Sequence, residues 1–346
     1  MTNLYNIHFC KKQELDKLQN FINRHWREGH VMGNSFELMN FQHSHDNTDY
    51  YDFAVAENLE TGEFDAIYGF IRTWKYDTTH SIPSIGWGAI WKVREDVENP
   101  QIGTIALQLM KYIILNGDID ILASLGISKD FKAVAQSLHF TVGRMNHYYI
   151  ANESISNYKV IVNPLFPTRK EGSCYTMRQL DGIEDIVLPA NGLNPNKNIT
   201  YFLNRYQNHP FYNYIFWGLY DNETLITVLV ARLIKIGDNS IYRIMDAIGS
   251  LQMTKSIYKP VQDILKKSGA EYVDCMNAGI DKVVFEHLGF VEADYNKTII
   301  PEHLNPLEHK NVPLEYAYSD EENIVIFKGD GDQDRPNRKE ELCLRR

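Results

Sequence analysis

The chain runs twice through nearly the same order of predicted elements, and this repetition constrains its fold more than any single motif. In the first half, the hydrophobic pattern predicts a helix, three strands, a loop, and then helix, strand, helix and strand. The second half repeats helix, three strands, helix, strand and helix. The sequences themselves match only weakly, best at SLHF (137–140) and HLGF (287–290), 150 residues apart. We therefore expect an α/β (α+β) protein with two consecutive mixed-sheet domains and a cleft between them.

The predicted elements of the first half are a helix at 11–27, strands at 51–56, 67–73 and 84–93, a helix at 104–115, a strand at 119–125, a helix at 129–138 and a strand at 142–150. Those of the second half are a helix at 198–207, strands at 213–220, 225–234 and 241–248, a helix at 255–267, a strand at 271–276, a helix at 282–287 and a short strand at 323–327. Between the halves, Pro164 and Pro167 interrupt a polar stretch. The predicted domains are 1–156 and 175–337, with a linker at 157–174 and a tail at 338–346.

Charge, cysteine spacing and apolar patterning together limit the partners and compartments that we expect for this chain. The chain has 35 Lys and Arg against 45 Asp and Glu, a net charge of −10, which disfavours binding to a nucleic acid backbone. Its four cysteines form no C-x-x-C pair, as expected in a reducing compartment. The N-terminus has no apolar signal region, and no apolar run is long enough to span a bilayer. We expect a cytoplasmic protein without membrane contact; the sequence does not indicate an oligomeric state.

The order of elements resembles the GNAT fold, the fold of GCN5-related N-acyltransferases. In that family, a glycine-rich turn between the fourth strand and the long helix holds the pyrophosphate of coenzyme A (CoA) on backbone N–H groups. Here the corresponding stretch is PQIGTIAL (100–107), with Gly103 at a family glycine and Ile105 in place of a second. The stretch IGSLQMT (248–254) of the second half is a poorer match. The resemblance therefore implies that acyl-CoA binds the first half, through residues at the end of the fourth strand and in the following turn: Trp91, Lys92, Val93, Gln101, Ile102, Gly103, Thr104, Ile105 and Ala106.

A narrower resemblance concerns the acceptor. Segments spread over about 90% of the chain are similar to tandem-GNAT sugar N-acyltransferases from bacterial surface-polysaccharide gene clusters; they are HWREGH (25–30), FQH (41–43), RIMDAIGS (243–250), EYVDCMNAGID (271–281) and DGDQDRPN (330–337). This implies a role in lipopolysaccharide O-antigen synthesis, with a nucleotide-linked amino sugar such as a dTDP-3-amino-3,6-dideoxyhexose as acceptor and 3-hydroxybutanoyl-CoA as one possible donor. The implied acceptor-binding residues are Trp26, His30, Gln42, Asp246, Asp274, Asn277, Asp330, Gln333, Asp334 and Arg335.

The chemistry of such a transfer sets limits on the catalytic groups. The ammonium of an amino sugar should have a pKa nearer 8 than 10, so deprotonating it at neutral pH costs only about 1–2 kcal/mol. A backbone N–H near Lys92 or Val93 would hold the oxyanion. Many GNAT enzymes place a tyrosine acid four residues before the glycine of a G-F pair. Ala135 and Phe285 stand there in the two halves, so that role is not transferred.

His30 and Asp246 are the candidate catalytic residues, each with a simpler alternative. His30 could be a helix-end histidine near the helix dipole, and Asp246 could pair with Arg243. The HSHD stretch (43–46) lacks a second ligand pair, and DGDQD (330–334) lacks the glycine and glutamate of an EF-hand, so we expect no metal. DGDQD could also be a solvated turn. Two other functions stay open: an aminoacyl transferase of the same fold, and a non-catalytic tandem GNAT ligand-binding module.

Overall fold

Two mixed β-sheets with packed helices form the computed structural model, which describes residues 4–77, 84–99, 101–167, 172–189, 195, 197–320 and 323–335. The first half has strands β1 (Tyr5–Lys11), β2 (Tyr50–Asn58), β3 (Phe64–Arg72), β4 (Ile85–Val93), β5 (Ile121–Leu125), β6 (Thr141–Arg144) and β7 (Asn146–Ala151) and helices α1 (Leu15–Phe21), α2 (Phe36–His43), α3 (Ile102–Asn116) and α4 (Lys129–Ser137). The second half has strands β8 (Thr176–Leu180), β9 (Ile215–Asp221), β10 (Thr224–Ile236), β11 (Asn239–Gly249), β12 (Tyr272–Ala278), β13 (Val291–Glu292), β14 (Glu315–Tyr318) and β15 (Ile326–Phe327) and helices α5 (Ile199–Phe202), α6 (Tyr258–Ser268) and α7 (Lys282–Leu288). This confirms the expected α/β class with two mixed sheets. No helix of the described residues is long and apolar enough to cross a membrane.

The two halves exchange a strand. The first sheet has the order β1-β2-β3-β4-β5-β14-β6, so a strand from the end of the chain lies between two strands of the first half. The second sheet has the order β13-β7-β12-β11-β10-β9-β8, and its β7 comes from the first half. The predicted single strand at 142–150 is therefore wrong, since Met145 separates β6 from β7 and the two strands belong to different sheets. Neither sheet is built from one continuous stretch of chain.

Each sheet contains a pair of parallel strands that separate partway along their length. Strands β4 and β5 pair from Ile85 and Ile121 to Gly88 and Ser124, and β4 then continues alone to its end. The register of β4 against β3 shifts just beyond Gly88, as in a β-bulge. We call the gap between β4 and β5 beyond Gly88 and Ser124 the first opening.

The second sheet repeats this arrangement. Strands β11 and β12 pair only from Tyr242 and Val273 to Ile244 and Cys275, and the register of β11 against β10 shifts at the next residue. The gap beyond Ile244 and Cys275 is the second opening. In both halves the helix after the central strand begins on the wide side of the gap, because parallel strands need a crossover connection. The helices are α3 and α6.

Candidate functional site: two strand openings and a C-terminal segment

The C-terminal segment (residues 323–335) fills the second opening. Its strand β15 pairs antiparallel with β12 at Asn277 and Ala278. The Lys328 N–H donates to the Met276 carbonyl at 3.2 Å, and the Gly329 N–H donates to the Met245 carbonyl of β11 at 2.8 Å. The segment thus bridges the two strands that have separated, and the part of β11 that borders the opening is fully buried.

A buried ion network holds this segment in place. Lys197 lies 2.8 Å from Asp246 of β11 and 2.7 Å from Asp330 of the segment, and the Tyr206 hydroxyl donates to Asp246 at 2.7 Å. Burial raises the pKa of Asp330 to about 6, although Lys197 opposes this shift. The structure thus brings together Asp246 and Asp330, two carboxylates that we predicted for the site. Lys197, which joins them, was not predicted.

A second buried cation, also missed, binds the end of the segment. Arg205 lies 2.9 Å from Asp334 and donates to the carbonyls of Gly329 and Gly331 at 3.1 and 3.2 Å. The Tyr214 hydroxyl also donates to Asp334. Burial alone would raise the pKa of Asp334, but Arg205 and its neighbours lower it to about 2. An isolated lysine or arginine carries no motif, so no sequence signal marked these two cations.

The first opening differs from the second. Ala89, Trp91 and Lys92 of β4 are half-buried there, and within the described ranges no later segment pairs with them on the side of β5. At the wide side of the gap lies the start of α3, where Gly103 is exposed. A Cβ at this glycine would meet no atom within 4 Å. The first turn of α3 is thus open at Gly103, although the N–H groups of Ile102 and Thr104 already donate to the carbonyls of Asn99 and Gln101.

The other residues predicted to bind the donor lie along the same path. Trp91 stacks on Tyr68 with ring centroids 5.0 Å apart, and Lys92 pairs with Glu95. Val93 ends β4, and Gln101, Ile102, Thr104 and Ala106 lie at or within the first turns of α3. Ile105 is buried and packs in the core of the first half. The expected oxyanion donors, near Lys92 or Val93, lie well beyond the bulge where the strands part.

A cationic cleft of about 180 Å³ lies between the second sheet and the C-terminal segment. It is lined by four cations, Arg232, Arg243, Lys328 and Arg335, together with Tyr212, Ile234, Met245, Glu302, His303, Leu304, Asn305, Gln333 and Asp334. Three of the cations have carboxylate partners: Arg243 binds Asp274 at 2.8 Å, Lys328 pairs with Glu302, and Arg335 binds Asp332 at 2.6 Å.

Arg232 is the cation with the fewest charged neighbours. Its guanidinium lies 3.6 Å from the centroid of the Tyr212 ring and donates to the backbone carbonyl of Asp334 at 2.6 Å. Among the described residues, no carboxylate forms an ion pair with it. Since Arg335 is already engaged by Asp332, Arg232 is the better placed of the two to bind an added anion.

The C-terminal segment joins this cleft to the first opening. Gln333, which lines the cleft, donates its side-chain N–H to the carbonyl of Leu125 at 2.9 Å, at the end of β5. Gly331 lies against Trp87 of β4; a Cβ there would be 3.5 Å from that side chain. Among the residues that the structure describes, the buried Trp87 indole N–H has no hydrogen-bond partner. A molecule in the cleft would therefore approach the first opening from the face that carries Trp87 and Leu125.

His30 touches this segment but is a poor base. It is buried, and Arg335 donates to its Nε2 at 2.8 Å. Burial, together with Arg335 and Arg27, lowers the pKa of His30 to about 3. The imidazole therefore stays neutral, and its weak basicity suits a hydrogen-bond acceptor better than a general base.

The remaining predicted acceptor residues are scattered. Gln42 is buried, and its side-chain oxygen has no hydrogen-bond partner in the described ranges. Trp26, in contrast, is 44% exposed at the end of the π-helical turn after α1. Asp274 binds Arg243 and His147; burial would raise its pKa, but Arg243 and His147 hold it at about 2. The side-chain oxygen and nitrogen of Asn277 are buried and find no hydrogen-bond partner within the described part of the chain.

The two histidines of the HSHD stretch (43–46) form hydrogen bonds within the fold. His43 binds the carbonyl of Phe70 at 2.8 Å, and His45 binds Asp52 at 2.6 Å. Within the described residues, a different group brings ligand atoms within 4.8 Å of one another, namely His8, Glu14 and Glu57. Lys17 already pairs with Glu57 at 2.9 Å, and its positive charge neutralises the carboxylate that a metal ion would need as a ligand.

Comparisons with known proteins identify the fold. No protein-family model and no curated protein matches the sequence. The chain is similar to the solved structure of a GCN5-related N-acetyltransferase from Anabaena variabilis, with a TM-score of 0.51, 11% identity, and coverage of 91% of this chain and 72% of that one. A probable N-acyltransferase from Enterococcus faecalis gives a TM-score of 0.53 at 8% identity, with 91% and 72% covered. A GCN5-related N-acetyltransferase from Kribbella flavida gives 0.50 at 10% identity, with 91% and 70% covered. The chain therefore has the GNAT fold over most of its length, as the order of elements predicted.

Proposed function

We propose that this protein is an acyl-CoA-dependent N-acyltransferase that uses the first opening for the donor and the adjoining cationic cleft for the acceptor. The observation that carries the proposal is the difference between the two openings. The protein's own C-terminal segment bridges β11 and β12 in the second, whereas β4 keeps a half-buried edge in the first. One donor site per chain follows from that difference.

The donor fits the first opening by its chemistry. The pantetheine arm of CoA carries amide groups, which can pair with the free edge of β4 as a short strand would. Its diphosphate would then reach the start of α3, where the N–H groups near Gly103 and the helix dipole favour negative charge. The thioester would lie deepest, close to the pair Gly88 and Ser124 where the strands rejoin.

For the acceptor we propose a nucleotide-linked amino sugar, such as a dTDP-3-amino-3,6-dideoxyhexose. A diphosphate matches a cleft with four cations, and Arg232 in particular offers a guanidinium without a carboxylate partner among the described residues. The similarity of five sequence segments to tandem-GNAT sugar N-acyltransferases supports the same substrate class. Gln333 bridges the cleft and the end of β5, so a sugar bound there would point its amine toward the first opening.

Direct attack by the neutral amine is the mechanism we infer. His30 has a strongly lowered pKa, and Asp246 is engaged by Lys197 and Tyr206. Neither group is well placed to act as an essential base, and an amino sugar does not require one near neutral pH. The protein then contributes by orientation of the two substrates and by polar groups at the opening.

The test is a transfer assay with the full chain. Acetyl-CoA and 3-hydroxybutanoyl-CoA are each incubated with a dTDP-3-amino-3,6-dideoxyhexose, and thiol release is followed together with the mass of the sugar product. We expect thiol release matched by a product heavier by one acyl group, and none with dTDP-glucose, which lacks the amine. Binding of CoA without transfer to any amine would instead indicate a non-catalytic ligand-binding module.

A further inference from the structure

Two hydroxyl groups meet at the point where the first opening closes. Tyr68 of β3 and Ser124 of β5 place their side-chain oxygens 3.5 Å apart, beside Gly88 of β4. A Cβ at Gly88 would lie 2.5 Å from the serine oxygen and 2.8 Å from the tyrosine oxygen. The glycine thus makes room for both hydroxyls against the β4 backbone, at the depth where the thioester of a bound donor would end.

One hydroxyl hydrogen of this pair has no acceptor among the described residues. Each hydroxyl carries one hydrogen, and only one of the two can be used between them. Tyr68 is 1% exposed and Ser124 8%, and within the described residues neither oxygen has another hydrogen-bond partner. The indole N–H of Trp91, stacked on Tyr68, is also buried without a partner. Such buried donors are rare in folded proteins and indicate a missing acceptor.

We propose that the Tyr68 and Ser124 hydroxyls donate their spare hydrogen bond to the thioester sulfur and stabilise the departing CoA thiolate. This inference rests on the proposed function. In the step itself, the amine nitrogen bonds to the carbonyl carbon, the carbon–sulfur bond breaks, and its electron pair goes to sulfur. The proton lost by the amine ends on that sulfur, so CoA leaves as its thiol.

The tyrosine is suited to donating and not to ionising. Burial raises the pKa of Tyr68 to about 12, with Ser124 opposing the shift, so the hydroxyl keeps its proton at neutral pH. A protonated donor in a site shielded from water stabilises the anionic thiolate more than the neutral thioester, and this difference lowers the barrier.

The test uses the ionisation of bound CoA and needs no acceptor. Calorimetry first establishes that the full chain binds CoA. The pKa of the bound thiol is then measured from thiolate absorbance in the wild type, Tyr68→Phe, Ser124→Ala and the double variant. A hydrogen bond to a charged group predicts a rise of about one to two pH units in the double variant. Each single variant should give a smaller rise, because the remaining hydroxyl can turn toward the sulfur.

Tyr148→Phe is the matched control, since it also removes a buried tyrosine hydroxyl, but one on β7 in the second sheet. It should leave the pKa of the bound thiol unchanged. With an acceptor, the double variant should lower kcat by about tenfold or more and leave the KM for acyl-CoA nearly unchanged. If CoA binds but the thiol pKa is the same in all variants, the role of the pair is wrong although the function stands. If CoA does not bind at all, both proposals are wrong.

Discussion

The backbone N–H of Gly329 donates to the carbonyl of Met245 at 2.8 Å, so the end of the chain completes the strand edge that β11 loses when it parts from β12. A Cβ at Gly329 would lie 2.6 Å from that carbonyl and 2.5 Å from the Tyr206 hydroxyl, so only glycine fits. In the second sheet, the protein's own C-terminal segment thus occupies the opening between β11 and β12. Under the proposed function, we expect this segment to support the acceptor cleft and to leave no room for a second donor.

Lys197 should be essential for the stability of this arrangement. Lys197→Met leaves the buried carboxylates of Asp246 and Asp330 without a cation, and breaking a buried pair costs about 3–5 kcal/mol in the free energy of unfolding. Urea unfolding measures the loss. Lys255→Met is the control, because Lys255 pairs with the partly exposed Asp221 and should cost less than about 1 kcal/mol. Equal losses in the two variants would contradict the network.

The pH dependence of the free energy of unfolding should show the raised pKa of Asp330. Its pKa is about 6 in the folded protein, above the ordinary value of 3.8, so the folded state binds more protons between these limits. The stabilising contribution of this group is full below about pH 4 and is lost as pH rises through 6. Relative to Asp330→Asn, the wild type should lose roughly 2–3 kcal/mol of unfolding free energy between pH 4 and 7.

Asp274 and Asp334, with pKa values near 2, act in the opposite direction. Their stabilisation is present above about pH 4 and lost as pH falls toward 2, so it does not change within the pH 4–7 window. Parallel stability curves for the wild type and Asp330→Asn across that window would show that Asp330 titrates normally.

The cleft should select for a diphosphate through Arg232. Replacing Arg232 by Gln removes a cation whose described contacts are a ring and a backbone carbonyl, and should raise the KM for a nucleotide sugar about tenfold, or 1.4 kcal/mol. Arg335→Gln should have a mixed effect, because it also frees Asp332 and His30. Arg178→Gln, at an exposed pair with Glu223, is the neutral control. An unchanged KM for the nucleotide sugar in the Arg232 variant would show that the acceptor does not bind in this cleft.

The sequence predicted the fold class because helix and strand periods are local. It did not predict the strand exchange, since β7 and β14 pair with partners far along the chain. The predicted helix at 11–27 also began too early, because Tyr5–Lys11 pairs with β2 as a strand. Tertiary pairing decided these segments, and local propensity does not record it.

The site residues, like the fold, could be predicted from the sequence only where a local motif marks them. The motif DGDQD drew attention to the C-terminal segment, and the structure places that segment between the two openings. Two of its three carboxylates, Asp330 and Asp334, however, bind Lys197 and Arg205, two isolated cations that no motif marks. Tyr68 and Ser124 were not found either, because hydroxyl residues of β3 and β5 come together only after the sheet forms.

His30 should prove useful but dispensable. His30→Ala removes a neutral acceptor of the Arg335 hydrogen bond, and its pKa of about 3 makes it a weak base. We expect turnover to fall by no more than about 10²-fold and the pH–rate profile to keep its shape. Loss of all chemistry in this variant, with both substrates still bound, would show that the imidazole performs an essential proton transfer.

The most direct test of the central claim is the stoichiometry of CoA binding by calorimetry, in the wild type and at Gly103. The account predicts one CoA per chain. Gly103→Asp should weaken binding by about tenfold or more, because it places a carboxylate where the diphosphate would lie, while Gly103→Ala should bind almost normally. Both variants should fold, since a Cβ there meets open space and an acidic residue favours a helix start. Two CoA molecules per chain, or full affinity in Gly103→Asp, would contradict the claim that the first opening alone binds the donor.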